Sequence, residues 1–131
     1  MNNKKILLVD DDPVFVQATS TRLRGEGFEV LTADDGAGAV SALRQGKPDL
    51  ILLDILFPPD VAHGGGVGWD GFLLMEWLRR MGGLTDTRFI LMTGADPAQY
   101  AERARKAGAA GLFPKSVEPG DLIRVIHQLL K

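Results

Sequence analysis

The 131-residue sequence has no cysteine and only two histidines, and these absences remove several kinds of site. Without thiols the chain forms no disulfide, has no cysteine nucleophile and offers no cysteine-ligated zinc or iron–sulfur site. His63 and His127 lie far apart in sequence, which argues against a histidine metal site. The chemistry is therefore expected from carboxylates, hydroxyls and amines.

The sequence also has no excess of one charge and no long apolar run. Fifteen Lys and Arg face 17 Asp and Glu, a net charge of -2, so no basic field points to nucleic acid or an anionic membrane. No run approaches the ~20 apolar residues that span a bilayer, and the N-terminal run is too short for a signal peptide. We expect a cytoplasmic protein with one domain, 1–131.

Short apolar runs alternate with helical patterns along the whole chain. The runs predicted as strands are "KILLVD", "FEVLTA", "DLILLD", "RFILMTG" and "AGLFPK". The first helix is predicted to start at Pro13, with Asp12 as its N-cap. Five strand–helix repeats predict an α/β protein with a doubly wound, five-stranded parallel sheet and five helices on its two faces.

The third helix is predicted from the spacing of its apolar residues in "FLLMEWLRRMGG". Positions three and four residues apart are occupied by Leu73, Leu74, Trp77, Leu78 and Met81. This spacing is typical of a helix that packs an apolar face, and Trp77 is predicted to serve packing rather than cofactor binding.

Polar residues follow four of the five predicted strands. In strand order they are Asp10, Asp11 and Asp12, then Asp54, Thr93 and Lys115. The carboxyl ends of parallel strands share one sheet edge, where doubly wound folds bind ligands. Two like charges ~4 Å apart repel by about 4 kcal/mol at an effective dielectric near 20, so the carboxylates need a cation. Oxygen ligands suit Mg²⁺, and a carboxylate can also act as a nucleophile toward phosphorus.

These residues stand in motifs that resemble the receiver domain of bacterial two-component response regulators. The motifs, in the family's order, are "ILLVDDDP", "ADDGAGAVSAL", "PDLILLDILFP", "ILMTGAD" and "AGAAGLFPKS". The resemblance covers essentially the whole chain. It implies a flavodoxin-like receiver fold with strand order 2-1-3-4-5.

The resemblance also implies a role for each residue at the sheet edge. Asp54 would accept a phosphoryl group from the phosphohistidine of a sensor kinase or phosphotransfer protein. Mg²⁺ would be held by Asp10, Asp11, Asp54 and the backbone carbonyl of Leu56. Thr93 and Lys115 would contact the phosphoryl oxygens.

Further expectations concern the activity and the partners. The chain would be a regulatory phosphoacceptor that catalyses only its own phosphorylation and dephosphorylation. It would signal to an output domain or downstream protein, without touching nucleic acid or a membrane itself. It could form a homodimer through the fourth helix, fifth strand and fifth helix.

Three features depart from the family pattern. Leu112 stands where the family has an aromatic residue, and Ser116 follows the lysine where a proline after a cis peptide is usual. An insertion is predicted at about 59–68, within "FPPDVAHGGGVGWDG", beside the acceptor strand.

These departures leave an alternative open, a degenerate receiver that acts as a phosphorylation-independent interaction module. A nucleotide-binding enzyme using "GVGWDG" is disfavoured, because a dinucleotide-binding motif should follow the first strand.

Overall fold

The computed structural model describes residues 4–59, 68–84 and 86–130, which form seven strands, five α-helices and one 3-10 turn. The strands are β1 (Lys5–Val9), β2 (Glu29–Ala33), β3 (Leu50–Asp54), β4 (Leu56–Pro59), β5 (Gly68–Asp70), β6 (Arg88–Thr93) and β7 (Gly111–Pro114). The helices are α1 (Pro13–Gly25), α2 (Gly36–Arg44), α3 (Gly71–Gly82), α4 (Ala101–Ala107) and α5 (Pro119–Leu129). The 3-10 turn is Pro97–Gln99.

Five parallel strands form the main sheet, in the order β2-β1-β3-β6-β7. This confirms the predicted order 2-1-3-4-5, because β4 and β5 lie outside that sheet. The register keeps the carboxyl ends level: Val9 pairs with Leu53, and Thr93 with Pro114. The residues that follow β1, β3 and β7 are thereby brought to one edge.

The core lies on both faces of the sheet. Alternate residues of β3 enter two different clusters: Ile51 and Leu53 lie in one, and Leu50 and Leu52 in the other. All five residues of β3 are buried, which matches its almost uninterrupted apolar sequence. None of the helices among the described residues is both long and apolar enough to cross a bilayer.

The packing predicted for α3 is wrong in part. Buried residues of this helix are Phe72, Leu74, Met75 and Leu78. Exposed apolar residues are Leu73, Trp77 and Met81, whose exposed fractions are 60%, 40% and 54%. The sequence contains two adjacent apolar rows with four-residue spacing, and only one can face the sheet. Spacing alone does not tell which row is buried.

The sequence "PAQYAERARKAG" predicts a fourth helix along its whole length, but α4 covers only its later part. The first residues of this sequence form the 3-10 turn, and Tyr100, with φ of -117° and ψ of 0°, separates this turn from α4. Gly108 ends α4 in the left-handed conformation, with φ of 81°. Glycine adopts this conformation without steric cost.

A short antiparallel pair, β4 and β5, was not predicted. Leu56 pairs with Asp70 and Pro59 with Gly68, so the two strands flank the segment expected to be an insertion. Residues 60–67 of that segment lie outside the described residues, and the insertion itself stays a prediction.

Gly71 begins α3 in direct contact with the backbone that follows β3. Its amide donates a hydrogen bond to the carbonyl of Ile55, at 3.0 Å. A Cβ atom at Gly71 would lie 2.3 Å from Cα of Ile55 and 2.7 Å from the carbonyl oxygen of Asp54. Only a residue without a side chain fits this approach.

We therefore expect Gly71→Ala to lower the free energy of unfolding by at least about 1–3 kcal/mol, the usual cost of overpacking. Urea unfolding followed by circular dichroism measures the loss. Gly120→Ala is the matched control, because a Cβ there meets nothing within 4 Å and alanine favours the helix. Equal stability of the two variants would contradict the close approach.

Candidate functional site

The carboxyl edge of the sheet gathers four of the residues predicted for the site. Asp10 follows β1, Asp54 ends β3, Thr93 ends β6 and Lys115 follows β7. Asp10, Asp54 and Thr93 are 1%, 3% and 0% exposed, so three polar side chains are buried at this edge. Burial of polar groups is costly unless they are paired, which makes their contacts decisive.

The Lys115 ammonium bridges the two buried carboxylates. Nζ donates a hydrogen bond to Asp10 Oδ1 at 2.9 Å and lies 3.1 Å from Asp54 Oδ2. It also lies 5.2 Å from the centre of the Phe15 ring on α1. Burial alone would lower the pKa of Lys115, but its hydrogen bonds and charge interactions with both carboxylates outweigh burial and raise the pKa above its usual value.

The carboxylate of Asp10 is buried beside the ammonium of Lys115. Burial raises the pKa of its carboxyl, and the hydrogen bond from Lys115 only partly opposes that effect. Oδ1 also accepts a hydrogen bond from the Asp12 amide at 2.9 Å, whereas Oδ2 lies 2.8 Å from Nζ and has no hydrogen bond from any other described group. The Lys115 ammonium is therefore the main partner of Oδ2, the carboxylate oxygen of Asp10 with the fewest polar contacts.

The residues present fit a divalent cation. Asp10, Asp11 and Asp54 each offer an oxygen, and these oxygens lie within 4.8 Å of one another. Mg²⁺ prefers oxygen ligands and binds through one or two carboxylates while it keeps part of its water shell, so this donor set suits it. Three carboxylates and one ammonium leave a formal charge of -2, which one Mg²⁺ would balance.

Two other predicted ligands are placed at the same edge. Asp11 is more exposed than Asp10, as expected of a ligand on the solvent side. Leu56 begins β4, two residues beyond Asp54, and its backbone pairs with Asp70. The backbone of Leu56 therefore lies in the segment that leaves β3.

The hydroxyl of Thr93 keeps a proton to donate. Its Oγ1 accepts a hydrogen bond from the Ala95 amide at 3.0 Å. A hydroxyl both accepts and donates, so this bond fixes the oxygen while the proton remains available. At the next residue, Gly94, a Cβ atom would meet nothing within 4 Å, so the space on that side of the backbone is open.

Asp12 is a helix cap, as predicted. Its side chain accepts from the amides of Val14 and Phe15 at the start of α1. This separates Asp12 from its neighbours Asp10 and Asp11, although the three are identical in type and adjacent in sequence.

The structure shows the conformation of the two residues near Lys115 that depart from the family pattern, Leu112 and Ser116. No cis peptide occurs among the described residues, so the bond between Lys115 and Ser116 is trans. Leu112 is partly buried against the core cluster beneath α2, α3 and α4, and Phe113 packs against the opposite cluster. The only aromatic ring on β7 therefore points away from the face that Leu112 contacts.

Sequence reasoning missed two contacts of this region. Phe15 was not singled out, because an apolar residue in the first turn of a helix is ordinary and its contact with Lys115 joins distant parts of the chain. Gly71 was expected only as part of the "DG" pair that opens the third helix, and its close approach to the backbone of Asp54 and Ile55 was not predicted. No local signal would have identified either contact.

Comparison with known proteins identifies the family and agrees with the fold. A family model, described as the response regulator receiver domain, matches residues 6–127. The DNA-binding response regulator MtrA of Mycolicibacterium smegmatis is 29% identical, over 98% of this chain and 51% of its own length. A putative transcriptional regulator of Pseudomonas aeruginosa is 34% identical, over 96% and 56%. The chain thus spans about half the length of these curated relatives.

Solved structures give the same fold. A CheY-like receiver domain protein from Methanospirillum hungatei aligns with a TM-score of 0.82 and 28% identity, over 98% of this chain and 94% of its own. The BeF3-activated N-terminal receiver domain of Klebsiella pneumoniae RstA aligns with a TM-score of 0.80 and 27% identity, over 98% and 99%.

Because Lys115 bridges two buried carboxylates, we expect Lys115→Met to lower the free energy of unfolding by an amount that depends on pH. The comparison is made without added metal. Removal of the ammonium leaves the buried carboxylates of Asp10 and Asp54 facing each other. We expect the free energy of unfolding to fall by about 3 kcal/mol at pH 8. The pKa of Asp10, raised already by burial, rises further when Lys115 is lost. A carboxyl whose folded pKa exceeds its unfolded one favours folding at low pH, so the loss shrinks as pH falls.

Urea unfolding at pH 8 and pH 5 measures this change. Lys106→Met is the control, because Lys106 is 71% exposed and its ion pair with Glu102 is at the surface. It should change stability by less than about 0.5 kcal/mol at either pH. A loss in Lys115→Met that is equal at both pH values would rule out the buried-charge explanation.

Proposed function

The chain belongs to the response regulator receiver domain family, and from this membership and the geometry of the sheet edge we propose that Asp54 is a Mg²⁺-dependent phosphoacceptor in a two-component system. The observation that carries the proposal is the convergence of Asp10, Asp11 and Asp54 with Lys115 at one edge. An acceptor needs a carboxylate held beside cationic groups, and this is the chemistry that the edge offers.

In the proposed reaction, a carboxylate oxygen of Asp54 attacks the phosphorus of a phosphohistidine or a small acyl phosphate. A new P–O bond forms, and the bond to the donor nitrogen or oxygen breaks. The leaving group keeps the electron pair of that bond. Bound Mg²⁺ would supply charge neutralisation for the phosphoryl oxygens, held by Asp10, Asp11, Asp54 and the backbone carbonyl of Leu56.

Lys115 and Thr93 are proposed to hold the phosphoryl group. The ammonium already lies 3.1 Å from Asp54 Oδ2, so a small movement brings it to an oxygen of a phosphoryl group on that carboxylate. Thr93 would donate its hydroxyl proton to a second oxygen while Oγ1 still accepts from Ala95. Both groups act by position and charge, which is the main requirement of phosphoryl transfer.

The proposal makes the chain a regulatory module that acts in the cytoplasm on its own Asp54 and not on a separate substrate. Its donor would be a sensor histidine kinase or a phosphotransfer protein, and its phosphorylation state would be read by an output domain or a downstream protein. Relatives of about twice its length include a regulator named as DNA-binding. A net charge of -2 disfavours direct contact of this domain with nucleic acid.

The alternative, a degenerate receiver, is not favoured, because Asp10, Asp11, Asp54 and Lys115 are all present at the sheet edge.

Incubation with acetyl phosphate and Mg²⁺ tests the proposal directly. Intact-protein mass spectrometry should detect one added phosphoryl group, and Asp54→Asn should abolish it. EDTA should also abolish it, since the remaining carboxylates would repel the incoming anion.

Asp12→Asn is the matched control, because Asp12 lies two residues from Asp10 but caps a helix, and asparagine caps equally well. This variant should be phosphorylated like the unchanged chain. A folded chain that gains no phosphoryl group with Mg²⁺ present would falsify the proposed reaction. An adduct that persists in Asp54→Asn would move the acceptor to another residue.

A further inference from the structure

The outer surface of α3 carries an exposed apolar row that the proposed phosphoacceptor site does not use. We name Leu73, Trp77 and Met81 the α3 row; their exposed fractions are 60%, 40% and 54%. The residues are four apart, so at 1.5 Å per residue the row extends about 12 Å along the helix. Single exposed apolar residues are ordinary, whereas three in line on one helix form a continuous apolar strip that a partner surface can cover.

The row is arranged symmetrically about Trp77. If a second α3 packs against it in the antiparallel direction with Trp77 at the centre, Leu73 of each copy lies beside Met81 of the other. A two-fold contact requires that a surface be complementary to itself, and this row satisfies the requirement for apolar packing. The antiparallel direction also brings opposite helix ends together, which is favourable for their dipoles.

Charges beside the row are self-complementary as well. Glu76 and Arg80 are exposed and lie one turn apart on the flank that faces α4. In the antiparallel pair, this flank of each copy meets the same flank of the other, with Glu76 beside the partner copy's Arg80. Arg79 takes no part, because it points inward to the carbonyls of Ala107 and Gly108, at 2.6 and 3.1 Å.

We propose that two copies of this chain associate through the α3 row in an antiparallel, two-fold contact, with reciprocal ion pairs between Glu76 and Arg80. This surface differs from the one expected from the family resemblance, which would use α4, β7 and α5. The inference does not rest on phosphorylation of Asp54, and each of the two can fail alone.

The contact is small, so the dimer should be weak. Stable interfaces bury about 800 Å² per partner, and three half-exposed side chains with two charged neighbours supply the centre of such a surface but not its full extent. We expect reversible association in the micromolar to millimolar range. Trp77, at the centre, should dominate the affinity, as buried aromatic residues do in other interfaces.

Analytical ultracentrifugation over a wide concentration range tests the association. The unchanged chain should show a concentration-dependent monomer–dimer equilibrium. Leu73→Asp and Trp77→Ala should each raise the dissociation constant by about tenfold or more. Val14→Asp is the matched control, because Val14 is 75% exposed on α1, away from the row, and should leave the constant unchanged.

Charge reversal tests the antiparallel direction. In Glu76→Arg and in Arg80→Glu, like charges meet across the two-fold axis, and each variant alone should dimerise at least about fivefold more weakly. An equimolar mixture of the two single variants should recover affinity. In the mixed dimer, the two arginines of the first variant lie beside the two glutamates of the second. The double variant Glu76→Arg with Arg80→Glu should also recover it.

Several results would overturn the proposal. One is a chain that stays monomeric at millimolar concentration, and another is a dimer that the row variants leave unchanged. A dimer disrupted instead by Arg105→Glu on α4 would place the contact on the α4–β7–α5 face. A mixture that dimerises no better than its components would reject the antiparallel pairing. Circular dichroism and melting temperature confirm that each surface variant is folded.

Discussion

The contact of Lys115 with Asp10 and Asp54 holds together three parts of the chain that are distant in sequence. Asp10 follows β1, Asp54 ends β3 and Lys115 follows β7, so the bridge crosses the carboxyl edge of the sheet. Two buried carboxylates at this edge would repel each other without a cation. The parallel register places their backbones there, and the ammonium makes their burial tolerable. The same charge balance leaves room for a divalent cation, because three carboxylates still exceed one lysine by two charges.

Most of the fold and the gathering of the candidate site residues could be predicted from the sequence, because both depend on patterns that repeat along the chain. A continuous apolar run such as Leu50–Leu53 indicates a strand buried on both faces, and five such runs separated by helices leave few topologies. Residues at the ends of parallel strands must then meet. Asp10, Asp54, Thr93 and Lys115 could be brought together by that argument before any distance was known.

The parts that sequence did not predict depend on choices between equivalent local patterns. Two adjacent apolar rows on α3 satisfy the same spacing, and the choice of Leu74 and Leu78 for the core is made by how the helix lies on the sheet. The pairing of Leu56 with Asp70 has no strong strand signal, because a proline and glycine-rich segment separates the two residues. Tyr100 interrupts a helical pattern without any glycine or proline at that position.

Helix α3 links the two surfaces discussed above. Its first residue, Gly71, is held against the carbonyls of Asp54 and Ile55, while its outer side carries the α3 row. A phosphoryl group on Asp54 that shifts this backbone would have to move the start of α3, because the gap at Gly71 has no room to absorb the shift. If association through the row changes with that movement, linkage requires that dimerisation change the phosphorylation equilibrium by the same factor. The close approach at Gly71 is thus the physical element through which the two events could be coupled.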